Sequence, residues 1–182
     1  MPFTLTIHMV ASLDGIIARK DNSVGWFETT SPYEKGAAAP DAEQFLKTID
    51  CYIMGARTYE HALELSRNYG WAYGDKPTLI ITHRQVPIER PNVEVYSGDL
   101  AELVAQLKLK YANAWLVGGA ALAKDFLLQG LATDIRLSIA PILLGEGTPF
   151  FDHIGKEQKL HLKDVTAYKN GWVEMWYGVG GR

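Results

Sequence analysis

Cysteine is nearly missing from this chain of 182 residues, which holds one, Cys51. A lone thiol excludes an internal disulfide and any multi-cysteine zinc or iron–sulfur site, and it fits a reducing compartment, the cytoplasm by default. An excess of one charge is missing too. Eighteen basic against 21 acidic side chains leave a net charge of −3, so no nucleic-acid or membrane partner is expected, while a small basic pocket stays compatible with the total. No apolar run reaches the roughly 18 residues of a membrane helix. Met1 to Val10 alternates polar and apolar residues where a signal peptide would have a charged start and a continuous apolar run. The five histidines, His8, His61, His83, His153 and His161, lack paired metal spacing, so no metal is expected and surface or satisfied positions account for them. There is no G-x-S-x-G elbow and no zinc-deaminase signature. Neither the G-x-G-x-x-G fingerprint nor the G-x-x-x-x-G-K-[ST] loop occurs.

What is present is the balance of a globular protein, 47% hydrophobic and 21% charged, read as one domain over 1–182. Phe3, Leu5, Ile7 and Met9 alternate with polar residues, which is the period of a strand. An irregular, function-sized loop follows from Ala11 to Ser31. Asp41 to Ile49, opened by Pro40, reads as a short amphipathic helix, Cys51 to Met54 as a buried strand, and Thr58 to Arg67 as a second helix. Strands are expected at Thr78–Thr82, Val93–Tyr96, Ala114–Val117 and Asp134–Ala140. Helices are expected at Asp99–Tyr111, with Asp99 and Glu102 forming a capping box, and from Ala120 to Gln129, ended by Gly130. Lys159–Tyr168 and Gly171–Val179 form a hairpin across a tight primed turn at Asn170-Gly171. About eight strands and four helices in this order give an α/β fold: a mostly parallel sheet closed by an antiparallel C-terminal hairpin.

Two glycine-containing strand-to-helix junctions stand out, Met54-Gly55-Ala56-Arg57-Thr58 and Val117-Gly118-Gly119-Ala120. Either alone reads as a tight turn; two on one sheet edge supply the pair of anion sites that a dinucleotide pyrophosphate needs. Arg57 and the Thr82-His83-Arg84 strand end could serve a further phosphate, although Arg84 is equally readable as a solvated loop cation. Asp14-Gly15 in Ser12-Leu13-Asp14-Gly15-Ile16-Ile17-Ala18 reads by itself as a hairpin turn. Asp41 and Glu43 are either favourable first-turn charges or the carboxyl group that anchors or protonates a ring nitrogen. Tyr69, Trp71 and Tyr73 suggest stacking on a flat heteroaromatic ring, and Lys20, Arg67 or Lys76 could serve a substrate phosphate.

These segments, together with Leu116 to Leu122 and Pro141-Ile142-Leu143-Leu144-Gly145-Glu146-Gly147, resemble the dihydrofolate reductase superfamily in order and nearly over the whole chain. More narrowly they resemble the reductase half of the bifunctional riboflavin-pathway deaminase-reductase. The resemblance implies a dihydrofolate-reductase-like three-layer fold and a reductase that moves a hydride from NADPH to a pterin-like or ribosylaminopyrimidine-type substrate. It implies that Gly55 to Thr58 and Gly118 to Ala120 carry the cofactor pyrophosphate, Thr82, His83 and Arg84 the adenosine-side phosphate, and backbone around Val10 and Ile17 the nicotinamide carboxamide. Asp41 matches the acidic pocket residue, with Glu43 and Asp14 as further catalytic candidates, while Trp26, Phe45 and Ser138 line the pocket.

Two departures qualify this. The chain has Gly55-Ala56-Arg57-Thr58 where relatives commonly have Gly-Arg-x-Thr, so NADH is not excluded as cofactor. Tyr73-Gly74-Asp75-Lys76-Pro77 offers no arginine to clamp a folate carboxylate, which argues against folate. The alternatives are a noncatalytic nucleotide-binding module or a true dihydrofolate reductase. Trp172, Val173, Met175, Trp176, Tyr177 and Val179 exceed what one core face absorbs, so a homodimer is expected, as the resembling family often forms.

Overall fold

The protein is described from a computed structural model, which covers residues 2–39 and 42–180. Strand β1 (Thr4–Ser12) places Leu5, Ile7, Met9 and Ala11 on one buried face and Thr4, Thr6, His8 and Val10 on the other, as the period-2 pattern requires. Its neighbours are β6 (Asn113–Gly118) and β7 (Asp134–Ala140), both parallel to it. On the far side of β6 lie β3 (Cys51–Gly55), β4 (Thr78–Ile81) and β5 (Val93–Tyr96), again parallel. The hairpin of β9 (Leu160–Ala167) and β10 (Val173–Val179) closes the other side, with β10 antiparallel to β7 and β9. The eight-stranded order is β5-β4-β3-β6-β1-β7-β10-β9, the architecture expected of the sequence.

Four helices connect these strands: α1 (Ala42–Lys47), α2 (Ala56–Tyr69), α3 (Leu100–Lys110) and α4 (Ala120–Leu128). On one face of the sheet, Leu5, Ile7 and Leu116 meet Leu103, Val104 and Leu107 of α3 and Phe126 and Leu127 of α4. On the other, Tyr52, Met54 and Ile80 meet Tyr59 and Leu63 of α2. Each fully buried side chain of this size contributes roughly 1.5–3 kcal/mol. Asp99 caps α3 by accepting from the amides of Ala101 and Glu102. No helix among the described residues is long and apolar enough to cross a membrane.

Several local expectations change. The 11–31 stretch is not irregular throughout: β1 runs to Ser12, β2 (Ile16–Ala18) follows, and Gly25–Glu28 forms a 3-10 turn. The chain does turn at Asp14-Gly15, where Gly15 donates to the Ser12 carbonyl, yet β2 pairs with β8 (Thr148–Pro149) and not with β1. Helix α1 is shorter than expected because Lys76 Nζ donates to the carbonyls of Leu46, Lys47 and Ile49 and closes its C-terminus. The β9–β10 connection is a three-residue loop, not a two-residue primed turn. Tyr168 donates to the Trp172 carbonyl, and Gly171, at φ +82°, donates back to Tyr168. A Cβ on Gly171 would overlap the Ser31 carbonyl, so close packing against the 29–37 segment selects this turn.

Candidate functional site

The parallel register sets Met54 of β3 beside Gly118 of β6, which brings the two glycine junctions together at the carboxyl edge of the sheet. A Cβ on Gly55 would lie 3.8 Å from Gly118 O and Gly119 N, and one on Gly119 would lie 3.5 Å from Thr58 Oγ1. At Gly118, with φ +143°, an added Cβ would press on Met9 Sδ at 3.1 Å, so this backbone corner accepts no side chain. Helices α2 and α4 both start here, without a side-chain cap and without an acidic residue in the first turn. Helix α3, capped by Asp99 and carrying Glu102, does the opposite. Two adjacent sets of first-turn amides thus face one place with no side-chain carboxylate competing for them, an arrangement suited to a diphosphate.

Around this cradle, Arg57 is exposed on the first turn of α2, and His83 is exposed beyond β4. Thr82 Oγ1 accepts from the Arg84 amide at 3.0 Å, and the Arg84 guanidinium pairs with Glu60 at 3.0 Å. Ala120 opens α4 and is buried. Val10 stands beside Ser138 in the β1–β7 register, and Ile17 packs partly buried against the core from β2.

Next to the cradle, on the β1–β7–β10 face, lies a half-buried polar floor. The His8 ring stacks on Trp115 (centroids 5.1 Å apart, 28° between planes) and meets the edge of Phe45 at 5.4 Å. Its Nε2 lies 3.3 Å from Ser138 Oγ and 3.7 Å from Glu174 Oε2. Glu174 accepts from Arg136 at 2.6 Å, and from Ser138 and Tyr168 at 3.3 Å each. Arg136 lies between the rings of Phe45 and Trp176. Burial, partly offset by Glu174 and reinforced by Arg136, pushes the His8 pKa from its ordinary 6.5 down to about 4. The ring is therefore neutral at physiological pH.

One wall of this floor is the 29–37 segment, held against the β9–β10 loop by Ser31, Tyr33 and Ala37 amides and by Trp172 Nε1, which donates to Thr29 O at 2.8 Å. Trp26, 2% exposed, sits at the start of that segment edge-on to Phe27.

Among the sequence-derived candidates, Phe45 and Ser138 come together at the floor, and the glycines with Thr58 come together at the cradle. Asp41 lies outside the described residues. Glu43 pairs with Lys47 at 3.1 Å on an exposed face of α1. Asp14 clamps the turn after β1 to the loop after β7. Hydrogen bonds from Ser12 (2.5 Å) and from the Leu144 and Gly145 amides hold its carboxyl at about 2, so it stays ionised. Trp71 and Tyr73, expected to stack on a heteroaromatic ring, pack on each other and on Tyr59 and Tyr52. Lys76 is engaged by α1, and Lys20 pairs with Glu146 at 2.5 Å. Sequence reasoning passed over His8, Trp115, Arg136, Tyr168 and Glu174; the polar residues alternating along β1, β7 and β10 were the available signal.

Residues 60–174 match the profile of the RibD C-terminal domain. The uncharacterized Bacillus subtilis protein YwjB is 30% identical over 163 residues, covering 89% of this chain and 90% of its own. Among solved structures, a Shewanella sp. PV-4 protein named for riboflavin biosynthesis superposes with a TM-score of 0.82 at 21% identity, over 98% of this chain and 99% of that one. The Thermotoga maritima diaminohydroxyphosphoribosylaminopyrimidine deaminase/5-amino-6-(5-phosphoribosylamino)uracil reductase superposes with a TM-score of 0.66 at 13% identity. The match takes in 98% of this chain and 57% of the Thermotoga protein, so the likeness is to part of a longer chain.

Proposed function

The chain belongs to the RibD C-terminal domain family, and from that membership we propose that it is an NADPH-dependent reductase of a pterin-like or ribosylaminopyrimidine-type heteroaromatic substrate. The observation that carries the reading is the paired glycine cradle, two uncapped helix N-termini side by side at a switch point of a parallel sheet. The residues fit a dinucleotide: amides of α2 and α4 hold the pyrophosphate, Thr58 adds a hydroxyl, and Arg84 with Arg57 meets the 2′-phosphate. NADPH, when bound, supplies the hydride. The chain's part is positioning. Phe45, Trp115 and Trp26 exclude water, and the His8–Ser138–Glu174 floor orients the ring that accepts the hydride.

The test is NADPH oxidation measured in parallel with dihydrofolate, dihydropterin and the phosphoribosylaminopyrimidine. Saturable turnover of either of the last two supports the reading. Saturable turnover of dihydrofolate at about 1 s⁻¹ or more would mean that the pocket is built for folate. NADPH binding without oxidation by any of the three would mark a noncatalytic nucleotide-binding module.

We also propose that the protein is a homodimer. Trp172 and Trp176 serve the polar face, but Ile135, Leu137 and Ile139 of β7, Val173, Met175 and Tyr177 of β10, and Leu162 and Val165 of β9 share the opposite face row by row. Leu162 is 50% and Val165 51% exposed. Glu174, Asp164 and Lys163 turn to the other side; Ile135 and Leu137 pack into the molecule's own core, and Leu162 and Val165 form the uncharged part of this face left open to pack on a second copy. Sedimentation at about 20 kDa across micromolar concentrations would refute it.

A further inference from the structure

The proposed chemistry accounts for the cradle and the aromatic walls but leaves two buried atoms of the floor without a hydrogen-bond partner among the described residues, Arg136 Nε, whose guanidinium is already paired with Glu174, and His8 Nδ1. His8 Nδ1 is buried and has no hydrogen-bond partner among the described residues, a costly state for a polar atom on a face otherwise rich in paired groups.

The charge of the neighbours favours one placement of the ring proton. The Glu174 carboxylate is ringed by donors: Arg136 Nη2 and Tyr168 Oη on Oε1, Ser138 Oγ on Oε2. Ser138 has one proton, and directing it at Glu174 leaves only a lone pair for His8 Nε2, 3.3 Å away. Nε2 must then donate, an orientation further favoured by the Glu174 oxygen at 3.7 Å. Nδ1 is left as a bare acceptor on a ring held in place by Trp115 and Phe45. Burial keeps that ring neutral, so the lone pair persists at physiological pH.

Resting on the reductase reading, we propose that His8 Nδ1 is a specificity-determining acceptor for an N–H of an amino-substituted heteroaromatic substrate, and that Glu174, acting through Ser138, is the positioning residue that keeps His8 in its accepting tautomer. A ring with a methyl group at that place leaves Nδ1 unpaired, and one with a carbonyl oxygen sets lone pair against lone pair. The site therefore selects amino-bearing rings over isosteres that lack the donor.

The experiment is nitrogen–proton correlation NMR on the full chain labelled with ¹⁵N-histidine, titrated with 2-aminopyrimidine and with 2-methylpyrimidine, a pair of equal shape that differs in the donor. In the wild type the His8 Nδ1 signal should be that of an unprotonated nitrogen, and it should move with the amino compound at least about tenfold more tightly than with the methyl one. Glu174→Gln reverses the relay. Its carbonyl faces Arg136 and Tyr168, its amide donates to Ser138, and Ser138 then donates to Nε2. The proton should move to Nδ1 and the preference for the amino compound should vanish, while the melting temperature confirms that the variant is folded. A protonated Nδ1 in the wild type, equal responses to both compounds, or no response to either would overturn the proposal.

Nicotinamide fluorescence of NADPH added to the same samples keeps the two readings apart. A silent His8 in a protein that binds NADPH refutes the acceptor alone. A responsive His8 in a protein that neither binds nor oxidises NADPH refutes the reductase alone.

Discussion

Lowering the pH from 7 to 5 should cost this protein about 2 kcal/mol of folding stability through His8 alone. Native His8 resists protonation down to about pH 4, because its 12%-exposed side chain is desolvated, whereas in the unfolded chain it titrates at its ordinary 6.5. Between those values the unfolded state holds more protons than the native state, so stability falls as pH falls through 6.5 and levels off below about 4. The full separation corresponds to about 3 kcal/mol, at about 1.4 kcal/mol per pH unit. Most of it develops by pH 5. The charged groups facing the ring are Glu174 of β10 and Arg136 of β7, whose effects oppose each other. His8→Phe keeps a flat ring against Trp115 and removes the titration. Thermal melting of both proteins at pH 7 and 5 should show the wild type losing roughly 4–8 °C more than the variant. Melting curves that shift in parallel would refute the burial argument. So would an NMR titration midpoint for His8 of 6 or above in the folded wild type, a measurement that stands even if the variant folds poorly.

Arg84→Ala should weaken NADPH binding roughly 10- to 100-fold and leave NADH unchanged, since a charge-assisted contact to the 2′-phosphate contributes about 1.5–3 kcal/mol; equal affinities for both cofactors in both proteins would remove Arg84 from recognition. Gly147→Ala should destabilise the fold by about 2 kcal/mol or more in chemical denaturation, because at φ +145° its Cβ would overlap the Ala18 carbonyl where β2 meets β8; an unchanged midpoint would mean that this small sheet is loosely held. Lys163→Met should cost about 1–3 kcal/mol at neutral pH, since it strips the 2%-exposed Asp134 carboxylate of its cation and leaves Thr133 and Trp176 as donors. An unchanged midpoint in chemical denaturation would mean that Lys163 adds nothing to holding this carboxylate.

The parts of this molecule that depend on neighbours in sequence were readable, and those assembled across the sheet were not. Val93–Tyr96 and Asp134–Ala140 match their expected limits because flanking turns and alternation define a strand locally. Both glycine junctions were visible for the same reason. Their adjacency was not, since it requires β6 to insert between β1 and β3, a choice made by burial on both faces and not by any local pattern. Trp71 and Tyr73 looked available for a ligand because a loop's composition does not reveal which way its rings turn, and here α2 and β3 offered them a core. Asp14 was legible as a turn residue, but the amides that hold its carboxyl lie on the loop after β7, 130 residues further along. His8 shows the limit most clearly. Alternation fixed the face it occupies, while its meaning depends on Ser138 in β7, 130 residues away, and on Glu174 beyond it. Once β7 is placed parallel to β1 with His8 opposite Arg136 and Val10 opposite Ser138, the antiparallel register of β10 carries Glu174 to Ser138 with no further freedom. Two strand pairings therefore bring three scattered polar residues into one hydrogen-bonded cluster, and a histidine that reads as incidental in the sequence becomes its centre.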